Sequence, residues 1–155
     1  MGRSRGGFTT KIHILCDRDG RPLAFRLTPG QAHETTALEE LLKCADDEVR
    51  DSDDNQVTWP VALAGDKGYR AEWIDTFLLA LGITPVVPSK ANEDRAERQV
   101  EFDEDNYRDR NIVERLIGWL KESRRILTRF EKTAINYAGM IKLAFIHRYF
   151  RLMQI

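Results

Sequence analysis

The chain has 155 residues, 42% of them apolar and 32% charged. That suits one soluble domain whose core removes roughly two-thirds of its surface from water, and it excludes extended disorder, a fibrous repeat and a disulfide scaffold. The formal net charge of −1 is unevenly spread: residues 1–33 sum to +4, 34–66 to −8, 67–105 to −4 and 106–155 to +7, so the two ends rather than the whole suit a polyanion, and the same pattern fits ordinary solvated faces.

The opening MGRSRGG has no apolar core of a secretory signal. Residues 8–16, FTTKIHILC, alternate and are rich in β-branched side chains, which predicts a strand. Asp17-Arg18-Asp19-Gly20 is turn chemistry, and Pro22 then opens a second run, LAFRLT, so the two strands form a hairpin that Thr28-Pro29-Gly30 ends. Residues 32–44 show helical spacing through Ala37, Leu38, Leu41 and Leu42; residues 45–56 are an acidic, polar loop. The apolar run 57–64, with Pro60 near its start, predicts a buried strand ending at Gly65-Asp66. A helix over 72–81 follows, capped by Gly82, then a short buried strand over 83–87 stopped by Pro88. Residues 88–106, almost without apolar content, read as a mobile connection. From 107 to 155 the pattern is helical, with a break near Thr133. The stretch 134–150 is too short and too charged, through Lys142, His147 and Arg148, for a membrane span. The order β-β-α-β-α-β followed by helices predicts an α/β domain with a mixed sheet.

Two carboxylates stand out by position. Asp66, in LAGDKGYR, closes an apolar strand ahead of a turn and a helix, and ligands of open α/β sheets gather at strand C-termini. The competing role for Asp66 is to cap the turn that follows. Glu114 is the second. With about 100° per residue, Tyr107, Arg110, Glu114 and Lys121 project from one helical face, beside an apolar face of Val113, Leu116, Ile117 and Leu120. The same stripe also fits a solvated face with an Arg110–Glu114 pair.

The spacing Tyr-(2)-Arg-(3)-Glu-(6)-Lys, complete here as Tyr107, Arg110, Glu114 and Lys121, resembles the signature of bacterial insertion-sequence transposases with a DDE catalytic triad. GRSRGGFTTKIH, LTPGQAHE, LAGDKGYR and VERLIGWLKESRRILTRFEKTAINYAG extend the resemblance over nearly the whole chain, as the C-terminal part of such a catalytic domain. The resemblance implies an RNase H-like mixed sheet with flanking helices, lacking the first strand. It implies that Asp66 and Glu114 are catalytic metal ligands for Mg²⁺, with Mn²⁺ as substitute, in a two-ion in-line displacement that serves both strand cleavage and strand transfer. It further implies that Arg110 and Lys121 contact donor-end phosphates and that Tyr107 lines the end-binding face. Arg124 and Arg125, with Arg129 and Lys132, follow the signature helix and suit either phosphate contacts or, equally, charges that solubilise the helix end.

In that family the first aspartate lies on a strand upstream of the GRSRGG segment, which opens this chain. Asp17 and Asp19 do not replace it, since both belong to the Gly20 turn. The partners implied are therefore DNA, at element ends and target, an upstream transposase half supplying the first aspartate, and a homo-oligomer, in the cytoplasm on the nucleoid. The alternatives are an inactive piece that binds DNA or full-length transposase, and an RNase H-like nuclease unrelated to mobile DNA. His13, His33 and His147 lack ligand spacing; Trp59, Trp73 and Trp119 suit packing; Cys16 and Cys44 suit reduced apolar thiols.

Overall fold

Alternating side chains in GFTTKIHILC and PLAFRLTP make the two long strands of an antiparallel hairpin, β2 (Gly7–Cys16) and β3 (Pro22–Pro29), to which β1 (Gly2–Ser4) adds a third. The computed structural model describes residues 2–4, 7–94 and 96–153; Arg5 and Gly6 of the opening motif and Arg95 of the connection lie outside the described residues. The chain divides into two units, Met1–Ala32 with Asn111–Ile155, and His33–Arg110.

In the first unit the register sets Ile12 opposite Leu27 and Ile14 opposite Phe25, so one face of the hairpin is apolar. That face packs on α4 (Asn111–Glu122), α5 (Arg124–Leu127) and α6 (Ala134–Met153) through Leu120, Ile126, Tyr137, Ile141 and Phe145. The spacing Tyr137, Ile141, Phe145 is the i, i+4, i+8 stripe of a helix lying on a core, and Phe145 meets Phe25 edge to face at 5.5 Å. Asp17 Oδ1 accepts the N–H groups of Asp19 (3.0 Å) and Arg21 (2.8 Å) in the hairpin turn, where Gly20 takes φ +75°. Both turn aspartates also pair with Arg21. His13 is buried, its Nε2 2.8 Å from Thr28 Oγ1, as a structural histidine.

In the second unit a 3-10 turn (Glu34–Ala37) leads into α1 (Leu38–Glu48). Strand β4 (Ala62–Ala64) pairs in parallel with β5 (Thr84–Val86) across α2 (Glu72–Ala80), and α3 (Glu104–Arg108) closes the unit. Leu38, Leu41 and Leu42 of α1 are buried, as are Ile74 and Leu78 of α2 and Ile83, Val86 and Val87 around β5. No helix among the described residues is long and apolar enough to cross a membrane.

The mixed α/β class is borne out, but the strands fall into two small sheets, one antiparallel and one parallel, instead of a single mixed one. α1 runs on to Glu48 because Ala45 is still on its buried face, which removes the first turn from the expected loop. The expected strand over 57–64 shrinks to its last three residues: Pro60 offers no N–H and Val57 and Val61 are exposed. The helical tail breaks at three places rather than one. Asp103 caps α3 through the Asn106 N–H (2.9 Å), and at Arg110 the chain tightens to a bond from its N–H to Tyr107 O (3.1 Å). Ser123 takes extended backbone between α4 and α5, and Thr133 Oγ1 accepts the Asn136 N–H (3.2 Å) at the start of α6.

Candidate functional site

Asp66 follows directly on the parallel pair, whose last rung is the Gly65 N–H to Val86 O bond (3.1 Å). Its side chain caps the 3-10 turn Lys67–Tyr69, Oδ1 accepting the Gly68 N–H at 2.8 Å, and it is exposed. The capping role expected of Asp66 is therefore present, and the same carboxylate stands exposed at the strand end.

A second carboxylate lies against the same turn. A Cβ on Gly68 would sit 2.9 Å from Asp66 Oδ1 and 3.0 Å from Glu34 Cγ, so the missing side chain is what lets Glu34 approach. Burial raises the Tyr69 phenol above its ordinary value, and the charges of Asp66 and Glu34 raise it further, so it stays protonated as a potential donor beside two acids. Glu34 is the last residue of LTPGQAHE, the one signal in the sequence for it; spacing alone did not single it out.

The turn is anchored from behind by a buried ion network that sequence reasoning missed. Arg70, which ends the turn, places Nη1 3.0 Å from Asp75 Oδ2 and Nη2 2.8 Å from Glu93 Oε1. Arg98 donates to both oxygens of Asp75 (2.9 and 3.1 Å) and to Val87 O (2.6 Å). The Arg98 side chain is 4% exposed and that of Arg70 6%, so each charge is matched by a fork of carboxylate oxygens. Burial pushes the Glu93 carboxyl up, but the Lys90 N–H and Arg70 outweigh it and hold it below the usual range. Glu93 and Arg98 sit in the stretch predicted to be a mobile connection, which is therefore fastened to α2 and to the Asp66 turn.

Glu114 lies in the first turn of α4, where the helix dipole favours a carboxylate, and Lys121 lies in its last turn, where it favours a cation. Both are exposed, and seven residues of helix put them on one face, two turns apart. Tyr107 and Arg110 do not extend that face on a continuous helix, because the chain breaks between α3 and α4. They meet each other instead, the Arg110 guanidinium lying 5.2 Å from the Tyr107 ring centre. Tyr107 and Arg110 belong to the second unit, with Asp66; Glu114 and Lys121 belong to the first, with the exposed Arg124 and Arg125. No group of three or more histidine, cysteine or acidic side chains able to hold a metal occurs among the described residues.

Charge follows the same division. The first unit holds fifteen basic and five acidic residues, a net +10; the second holds nine basic and twenty acidic, a net −11.

Comparison with known proteins shows the family. The family described as the transposase DDE domain matches residues 2–148. The chain belongs to that family. It is 32% identical over 141 residues to a Burkholderia cepacia protein named as a transposase for insertion sequence element IS402, covering 91% of this chain. It is 29% identical over 136 residues, 88% of this chain, to a Brucella ovis protein named as a transposase for insertion sequence element IS6501. The chain spans 62% of the length of the first relative and 94% of the second. No solved structure matches it.

Proposed function

We propose that this chain carries two of the catalytic carboxylates, Asp66 and Glu114, of a bacterial insertion-sequence transposase that cuts and joins DNA at the element ends. The observation that carries the reading is Asp66 itself: an exposed carboxylate at the end of β4, inside LAGDKGYR, in a chain matched to the DDE domain over residues 2–148. The fold reading that goes with it is RNase H-like, with residues 88–106 connecting the Asp66 region to the helices over 107–155 that bear Glu114.

The residues fit a divalent metal of the magnesium type. Asp66, with Glu34 lying against its turn, offers oxygen donors only, as a hard cation prefers. Asp66 and Glu114 would hold Mg²⁺, or Mn²⁺ in its place, together with an aspartate from an upstream transposase half. Such ions supply an activated nucleophile and charge neutralisation at the scissile phosphate. Lys121, Arg124 and Arg125 bind the phosphates of the donor end, and Arg110, stacked on Tyr107, adds a cation and a flat ring to the same task. The +10 charge of the first unit supports a DNA backbone as its partner. The protein acts on the nucleoid, with target DNA and a second copy of itself as further partners.

A nicking assay tests the reading, run on an element-end substrate with the chain joined to its upstream half. Cleavage that needs Mg²⁺ or Mn²⁺ and falls by at least about 10³-fold in both Asp66→Ala and Glu114→Ala is expected. Salt-sensitive binding without cleavage under either metal sinks the catalytic reading and leaves a binding role. Cleavage that survives Asp66→Ala sinks the assignment of that residue.

A further inference from the structure

Helices α2 and α5 end in the same way and use the result differently. After α2, Gly82 takes a left-handed φ of +74°, its N–H donates to Leu79 O (3.0 Å), and the Ile83 N–H reaches back to Leu78 O (2.9 Å). After α5, Arg129 takes φ +48°, its N–H donates to Ile126 O (3.1 Å), and the Phe130 N–H reaches back to Arg125 O (3.0 Å). This closure ordinarily places glycine at the left-handed position and tucks the next apolar residue back onto the fold. Ile83 obeys, at 0% exposure, whereas Phe130 stands out at 66%.

The corner at Phe130 is held in place despite the strain of a side chain at the left-handed position. The Arg129 guanidinium lies 5.8 Å from the Tyr137 ring centre, and the Tyr137 hydroxyl donates to Ile126 O at 3.1 Å. Arg125 covers part of the Phe130 ring at 5.1 Å and reaches Glu131 Oε1 at 3.4 Å, so the ring is fixed from its own helix without being buried. Leu127 beside it is 60% exposed. Residues 124–132 carry four basic groups against one acidic. A fixed aromatic ring among cations is what an unpaired nucleobase and its phosphates require: the ring stacks and the cations track the backbone.

We propose that Phe130 is a stacking platform for an unpaired nucleobase, with Arg124 and Arg125 on the flanking phosphates. The proposal rests on the DNA-binding part of the function above and deepens it: in an intact duplex the bases already stack on each other, so this corner selects strands that are single or have opened at an end. The 155-residue chain is titrated with a single-stranded oligonucleotide carrying 2-aminopurine and, separately, with a duplex of the same sequence.

Quenching of the 2-aminopurine single strand on binding is expected. Phe130→Ala loses the quench and binds single strands about tenfold more weakly, Phe130→Tyr keeps both, and duplex affinity shifts less than about twofold. Arg129→Gly keeps the quench, because it relieves the backbone and leaves the ring. Binding and quench unchanged in Phe130→Ala, or an equal loss on duplex, overturns the platform while the DNA reading stands. Self-association that disappears in Phe130→Ala overturns it in favour of a protein interface. No binding to either DNA at low salt overturns the platform together with the DNA-binding reading beneath it.

Discussion

The unit made of Met1–Ala32 and Asn111–Ile155 is closed by apolar packing between segments far apart in sequence: the hairpin face of Ile12, Ile14, Phe25 and Leu27 on α4, α5 and α6. The unit His33–Arg110 is continuous in sequence, has a three-residue parallel strand pair, and adds an ion network of two arginines and two acids around buried Arg70 and Asp75. The difference teaches where each unit keeps its charge. In the first, the core is supplied by side chains that carry no charge, and Lys11, Arg129 and Arg148 are no more than half-buried among the described residues. In the second, two cations go inside and fasten the turn that presents Asp66, so that its exposed carboxylate sits on a fixed base.

The comparison breaks most sharply at the two cores. Ile141 is fully buried, and Ile141→Ala is expected to cost about 4 kcal/mol by the lost transfer and the cavity, against about 1 kcal/mol for Ile141→Val, measured by urea unfolding followed at Trp119. Arg98→Ala should cost about 3 kcal/mol, the low end for a broken buried pair, because Arg70 still faces Asp75. Its effect should appear at Trp73 in α2, with Trp119 little changed; equal effects at both tryptophans would contradict two separately held cores.

Acid should separate the units more gently. The Glu93 carboxyl is held below its unfolded value of about 4.3, so its contribution is complete above that pH and disappears as pH falls through the folded value. The second unit should therefore loosen first on acidification from about pH 4.5, and Glu93→Gln should flatten that dependence. A transition led by Trp119 would count against the assignment. The smallest effect concerns the surface of the first unit: Arg124→Ala should lower the slope of log affinity against log salt for DNA by about one, with little change in stability. A slope that stays the same removes Arg124 from the phosphate contacts.

The hairpin was legible because alternation and the Asp17–Gly20 turn are local signals, and the register then follows from the turn. α2 and its Gly82 stop were legible for the same reason. Asp66 was legible as a strand-end carboxylate, and its neighbour Glu34 was not, since their approach depends on Gly68 having no side chain. The continuous helix through Tyr107, Arg110, Glu114 and Lys121 failed between α3 and α4: a 3.6-residue stripe cannot reveal that the Arg110 N–H turns back to Tyr107 O and that a new helix starts at Asn111. The connection over 88–106 concealed Arg98, because a charge run on paper has no means of showing that its partner, Asp75, lies 23 residues earlier in a core.

By itself the sequence determined the α/β class, the order of the hairpin, α1, β4, α2 and β5, and the family, because these rest on periodicity, turn chemistry and motifs that are read along the chain. Tertiary structure alone decided that basic residues from both ends share one unit of +10 while the acidic middle forms another of −11, and that two arginines are buried. The physical reason is range: local backbone preferences act over a few residues, whereas charge pairing and burial depend on which distant segments the fold brings into contact.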